Sequence, residues 1–399
     1  MSNLIVFAVF IAAAVLFAWL GLCLRRVKSV SLRWLGTGVS GLIALALSLT
    51  CVTGSVGLYK QQHSRSAPVP ELRVEGSVEQ IRRGQAIADS FCGACHSRSG
   101  TLTGGEDIGK HLPVDLGSFI SSNLTAAGTL RQWSDGQIFR AIRNGADAEG
   151  RRLLIMSLTN AGKLSDDDIR ALIAYIRQQP AAGAVTPEPP DQLNLLGLLL
   201  LGSGQFPSGK PINTGVVTAP PKAETVAYGE YILSYQDCRE CHGQQLSGGV
   251  QGQWAPIGPG LSLVADWSRE QFIATLRTGK DPGGHELGER MPWRPLGKMD
   301  DVELGAIYEY LTHMSQSGKA DANLQIERDD DSKKRYRALA VTWRARRGNS
   351  ASSSQSRNDF GRIRVSLALE DRGASSRSRR TRIRRASVPL CLHPPITID

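Results

Sequence analysis

Residues 91–97 read FCGACHS, and residues 237–243 read DCRECHG. Each stretch holds the same three groups at the same spacing: the thiols of Cys92 and Cys95 beside the imidazole of His96, and those of Cys238 and Cys241 beside that of His242. On a helix, positions i, i+3 and i+4 share a face, so each motif presents two sulfurs and a ring nitrogen together. C-x-x-C-H is the attachment signature of a c-type haem: the thiols add across the vinyl groups, and the adjacent histidine is left under the macrocycle as proximal iron ligand. A chain of this cysteine and histidine content would hold one such motif by chance roughly 0.002 times, and two far less often. A zinc site would join two C-x-x-C halves, but 143 residues separate Cys95 from Cys238 and each half runs straight into a histidine. A thioredoxin-like dithiol wants a βαβ context that neither flank shows. Of the other three cysteines, Cys23 and Cys51 lie in apolar runs and Cys391 near the C-terminus.

The similarity continues downstream. WSDGQIFRAIRNG (133–145) aligns without gaps on WSREQFIATLRTG (267–279), and MSLTNAGKLSDDDIRALIAYI (156–176) on MPWRPLGKMDDVELGAIYEYL (291–311). Duplication accounts for this and predicts two domains of about 100 residues each. An iron with a proximal histidine that shuttles electrons takes a second axial ligand, commonly a thioether. Met156 and Met291 share one register, 60 and 49 residues after their histidines, and are the expected sixth ligands. Met299 aligns with Leu164 and reads as core; Met314 and His313 fall at a helix end, and His111 and His285 are the minor rivals as ligands. With both axial positions filled, no coordination site is left for a substrate, which argues against a peroxidase or a thiosulfate-oxidising enzyme.

Caps and periodicity place the helices. Ser77-Val-Glu-Gln80 is a capping box opening a helix toward the first motif. Ser165-Asp-Asp-Asp168 caps a helix with Ile169, Leu172, Ile173 and Ile176 on one face and Pro180 beyond its end; Asp300-Asp-Val-Glu303 caps a copy striped by Leu304, Ile307, Tyr308 and Leu311.

The 399 residues carry 47 Lys+Arg against 37 Asp+Glu, a formal charge of +10. Residues 1–60 hold five basic residues and no acid, residues 321–399 hold 18 basic against 9 acidic, and the remaining 61–320 hold 24 against 28. The folded middle is therefore mildly acidic, and the basic character that would invite a nucleic-acid reading sits at the ends. Leu4–Leu24 and Trp34–Tyr59 contain no charge, and about 20 apolar residues cross a hydrocarbon core of about 30 Å. Two retained transmembrane helices are expected, since Met1-Ser2-Asn3 is neutral and the first run is too long for a signal peptide. RRVKSVSLR between them places that loop in the cytoplasm and the chain after Tyr59 on the opposite, periplasmic side.

An N-terminal helix leading into C-x-x-C-H, a loop region, a methionine and a closing helix together resemble class I cytochrome c, over 77–180 and 225–314. GGEDIGKHLPVDLGSFISSNLT (104–125) followed by WSDGQIF looks like the cytochrome subunits of membrane-bound alcohol and aldehyde dehydrogenases. The resemblance implies that a proline carbonyl receives each proximal histidine's Nδ1 proton, Pro259 in the second domain and Pro113 as a counterpart in the first. The chain departs from the pattern: such subunits typically carry three haems and a different anchor, and Ser157 follows Met156 where a proline usually stands, as Pro292 does after Met291.

The expected organisation is thus mostly α: transmembrane helices over 1–60, a tether over 61–76, cytochrome c domains over 77–180 and 225–316, a linker over 181–224, and a disordered basic tail over 317–399. The linker's LNLLGLLLLG is too short to span a bilayer and should pack on a haem domain or between the two, with a place on the membrane surface as the lesser alternative. The expected function is a relay of single electrons between a membrane donor and an acceptor, through two covalently attached c-type haems on the outer side of a cytoplasmic membrane. A second reading makes it the cytochrome subunit of a membrane-bound dehydrogenase or terminal oxidase. The partners are the membrane and redox proteins, with no nucleic acid and no bond chemistry at iron.

Overall fold

The structure is a computed structural model that describes residues 2–63, 67–97 and 100–317. Residues 318–399, with Cys391 and all but the first residue of the basic tail expected to be disordered, lie outside the described residues.

Helices α1 (Ser2–Leu24) and α2 (Val30–Gln62) form an antiparallel hairpin. Phe7 packs on Gly54 at one end, and Leu24 on Gly36 at the other. Their outer faces are Leu, Ile, Val and Trp side chains left exposed. Only 17% and 11% of their most apolar windows are buried, the reverse of a soluble core helix and what a helix solvated by lipid requires. The two are long and apolar enough to cross a membrane.

Helix α3 (Val78–Ile87) opens on the expected capping box, Ser77 with Gln80. It runs through a π turn (Ala88–Cys92) into the single-turn α4 (Gly93–His96). Strand β1 (Gly117–Phe119), α5 (Asp135–Asn144) and α6 (Asp166–Arg177) complete this half. Strand β2 (Asp191–Leu193) and α7 (Leu195–Ser203) follow, then the second copy: α8 (Val226–Tyr235), α9 (Cys238–His242), α10 (Arg269–Thr278), α11 (Trp293–Leu296) and α12 over 301–317.

The two copies share one crossing. A Cβ on Gly84 of α3 would lie 2.0 Å from the Ala171 carbonyl oxygen of α6, and one on Gly229 of α8 would lie 1.9 Å from that of Ala306 in α12. Glycine at these positions lets the first and last helices of each copy touch backbone to backbone. Around both crossings runs a single core: Ile87, Leu164, Ile169, Leu172 and Ile173 from one copy, and Tyr228, Ile232, Met299, Leu304 and Leu311 from the other. Met299 and Leu164 are both buried in it, as their shared register requires, while Met314 is half-buried against it rather than solvent-exposed.

The linker's apolar run does not sit between the domains. β2 pairs antiparallel with β1 of the first copy, and α7 lies across the outer end of α2, its Leu198 backbone against Gly57. Lys60 Nζ donates to the carbonyls of Leu201 and Gly202 (3.2 and 3.0 Å), Gln61 to Asp191 O (2.7 Å) and Asn3 to Leu193 O (2.7 Å). A second core of Phe7, Leu116, Phe119, Leu193, Leu198, Leu201 and Phe206 fills this joint. Of the segment expected as a tether, residues 67–76 pack along the first copy: Val74 N donates to Asp135 (2.8 Å) and Arg140 to Ala67 O (3.4 Å).

Candidate haem sites

The first C-x-x-C-H motif spans the end of the π turn and the single turn α4, and the second lies on α9, with all four cysteines half-buried and free of disulfides. Burial pushes the Cys92 and Cys238 thiols up to about 12 and raises Cys95 and Cys241 as well. A redox-active dithiol needs the opposite shift.

Each histidine ring is held by its Nδ1. His242 donates to Pro259 O at 2.7 Å, the partner expected from the sequence. His96 donates to Ser122 O at 2.8 Å, so Pro113 does not take that place in the first copy. The register shows why: ISSNL (120–124) stands where IGPGL (257–261) stands, and the acceptor is a backbone carbonyl that any residue can supply. In both cases the Nδ1 proton is committed, which leaves the lone pair on Nε2. Burial keeps the His96 imidazole below its ordinary pKa, against the opposing pull of the Ser122 carbonyl. The ring is thus held neutral, the ligand form.

The residues fit a haem in three further respects. Gly258 lies against the His242 ring, where a Cβ would come within 2.8 Å of Nδ1. Cys92, Cys238, Phe91 and Met291 pack on the apolar core. The buried amide nitrogen of Gln236, two residues before Cys238, has no hydrogen-bond partner among the described residues, a donor available to an anionic substituent.

The methionine loops are shaped by the residues that match between the copies. Ser134 with Gln137, and Ser268 with Gln271, form capping boxes opening α5 and α10. Gly145 and Gly279 end those helices with φ of +58° and +73°. A Cβ on either would fall 2.5 Å from the following methionine loop, at Ser157 or at Trp293. Arg143 donates to the carbonyls of Gly162 (2.5 Å) and Leu164 (2.6 Å) and to Asp166 (2.5 Å); Arg277 donates to Gly297 O and to Asp301 (2.9 Å). Each arginine therefore ties its loop to the start of the closing helix.

Met156 heads a 3-10 turn (Met156–Leu158) and lines a cavity of about 300 Å³ with Ile142, Gly145, Thr159 and Asn160. Met291 lies half-buried on the common core. The rivals His111 and His285 are exposed and face Glu106 (3.1 Å) and Asp281 (3.1 Å).

What sequence reading missed is the contact between the two motifs. Phe91, just before Cys92, meets Tyr235 edge-on with ring centroids 5.8 Å apart. Asp237, just before Cys238, accepts from the backbone and side chain of Asn160, four residues after Met156 (2.8 and 2.7 Å). No local pattern encodes pairs 77 and 144 residues apart in the chain.

Residues 79–176 and 224–311 match the family model described as cytochrome C oxidase, cbb3-type, subunit III. The chain is 24% identical over 287 residues to a subunit of nicotinate dehydrogenase from Pseudomonas putida, covering 63% of this chain and 23% of that one. It is 27% identical over 215 residues to the cytochrome c subunit of alcohol dehydrogenase (quinone) of Gluconobacter oxydans, covering 51% and 43%. Against the gluconate 2-dehydrogenase cytochrome c subunit of Pantoea cypripedii the identity is 30% over 101 residues, 22% and 23% of the two chains. The chain spans less than half the length of each of these curated relatives. Two segments that follow the two apolar N-terminal helices thus match a cytochrome model, and the chain is similar to the cytochrome c subunits of these dehydrogenases.

Proposed function

We propose that the chain is a membrane-anchored dihaem cytochrome that relays single electrons on the periplasmic side of a cytoplasmic membrane, as the cytochrome partner of a dehydrogenase-type complex. The observation that carries this reading is the repeat: in both copies a C-x-x-C-H turn holds its histidine through Nδ1, and a methionine loop further along the chain is clamped by an Arg and a Gly in the same register. A haem c on Cys92 and Cys95, and another on Cys238 and Cys241, would each supply a one-electron iron couple. His96 and His242 would hold the iron through Nε2, and Met156 and Met291 would supply the thioether ligands. The carbonyls of Ser122 and Pro259 hold the rings in one tautomer and raise their basicity. The α1–α2 hairpin, locked to the first copy through α7 and β2, holds the relay at the membrane and raises its effective concentration near a donor there. The basic loop lies at one end of the hairpin and the cytochrome segments at the other, which supports the periplasmic placement. The names of the relatives support a dehydrogenase partner.

The test is a redox titration of the purified full chain in detergent, with haem counted against protein. Two haems per chain, both low-spin, are expected; Met156→Ala and Met291→Ala should each abolish one contribution to the weak ferric absorption of an iron–thioether bond. A single haem, or a high-spin component in the unaltered protein, overturns the reading.

A further inference from the structure

The two methionine loops are stiffened by different means. After Met291 the chain reads Pro-Trp-Arg-Pro, and prolines at 292 and 295 each fix a backbone φ. After Met156 it reads Ser-Leu-Thr-Asn. Within its own copy this loop is held by side-chain bonds: Ser157 Oγ donates to Leu154 O and accepts from Arg152 Nε (both 2.8 Å), and Thr159 Oγ1 donates to Met156 O (2.9 Å).

Asn160, in the register of Pro295, takes its partners from the other copy. Its backbone N and Nδ2 both donate to Asp237 Oδ1 (2.8 and 2.7 Å), and Nδ2 also reaches Glu240 Oε1 at 3.1 Å. Asp237 directly precedes Cys238, and Glu240 lies between Cys238 and Cys241. Glu240 in turn accepts from Lys210 Nζ (2.5 Å), and the Lys210 backbone N donates to Ser157 O (2.7 Å). The circuit thus closes on the residue next to Met156. Asn160 is 5% exposed, and hydrogen bonds from a buried amide to a carboxylate are of the strong, charge-assisted kind.

We infer that the second domain completes the distal side of the first haem site: Asn160 is a positioning residue for Met156, and Asp237, although it directly precedes the attachment motif of the second haem, acts on the first. The inference rests on the reading of Met156 as an axial ligand. It gives the two sites a mechanical link, because the turn bearing Cys238 and Cys241 is also the anchor of the Met156 loop.

The experiment uses the full chain in detergent with both haems attached, and reads the ferric iron–thioether absorption and the two reduction potentials. Met156→Ala and Met291→Ala assign the two contributions. Asn160→Ala and Asp237→Ala should each lose the Met156 contribution and lower the potential of that component, leaving the Met291 component in place. Asn160→Asp, which keeps the size but loses the donors and sets like charges together, should do the same. Asp237→Asn keeps an oxygen acceptor and should retain the contribution. Equal haem content shows that each variant folds. If Asn160→Ala and Asp237→Ala both keep the Met156 contribution, or if Asp237→Ala removes that of Met291 instead, the inference is wrong. If Met156→Ala leaves the absorption whole, the ligand reading itself fails, which is a separate result.

Discussion

Arg143 and Arg277 occupy one register and make the same clamp, but their surroundings differ. The Arg143 side chain is 2% exposed and its partner Asp166 17%, against 39% and 67% for Arg277 and Asp301. Removing one member of a buried, hydrogen-bonded pair strands the other, at about 3–5 kcal/mol; an exposed pair is worth about 1 kcal/mol or less. Arg143→Ala should therefore lower stability far more than Arg277→Ala in thermal or denaturant unfolding, and equal losses would contradict it. The match of these arginines was visible in the sequence, but their unequal worth was not, since burial is set by what packs around them. The proximal contacts carry the same lesson. Pro259 was legible through the resemblance, which implies a proline carbonyl there, and Ser122 was not, because its carbonyl does the work while its side chain is unremarkable.

The elements joining the first copy to its anchor were the least legible. LNLLGLLLLG announced an apolar helix, but only the fold set it on the outer end of α2 beside a two-stranded ribbon. Asp191 of that ribbon accepts from Leu154 N at 2.7 Å, and burial pushes its carboxyl up from 3.8 to about 6. Between those values the folded chain holds a proton that the unfolded chain has lost, so the contribution of Asp191 to stability falls as pH rises through the window and levels off above it. Asp191→Asn keeps an acceptor for Leu154 and removes the titration. Compared with the unaltered protein, it should lose less stability between pH 4 and pH 6 and be relatively more stable at neutral pH, as read by melting temperature. An unchanged pH profile would mean that the carboxyl stays ionised in the fold.

At the scale of the molecule, the two copies form one folded body. Arg83 of α3 binds Asp168 of α6 through two nitrogens (2.7 and 2.9 Å) and also Glu303 of α12, the register equivalent of Asp168. Tyr231 of α8 donates to Asp168 at 2.5 Å and accepts from Ser165 N at 2.8 Å. With the core continuous across this seam, both copies should unfold in one calorimetric transition. Arg83→Ala leaves Asp168 and Glu303 near each other without their shared cation, and should cost about 3–5 kcal/mol and broaden or split that transition. Two separate transitions in the unaltered chain would show that the copies are independent.

The paired C-x-x-C-H motifs, the duplication, the helix caps and the two long apolar helices were all legible in the linear chain, because each depends on neighbouring groups, on one unbroken run or on an exact spacing. The joining of the first copy to α2 through α7, the exchange of Pro113 for Ser122, and the tie from Asn160 to Asp237 were not. These contacts join residues far apart in the chain, or use backbone atoms common to every residue, so their partners exist only once the chain has packed.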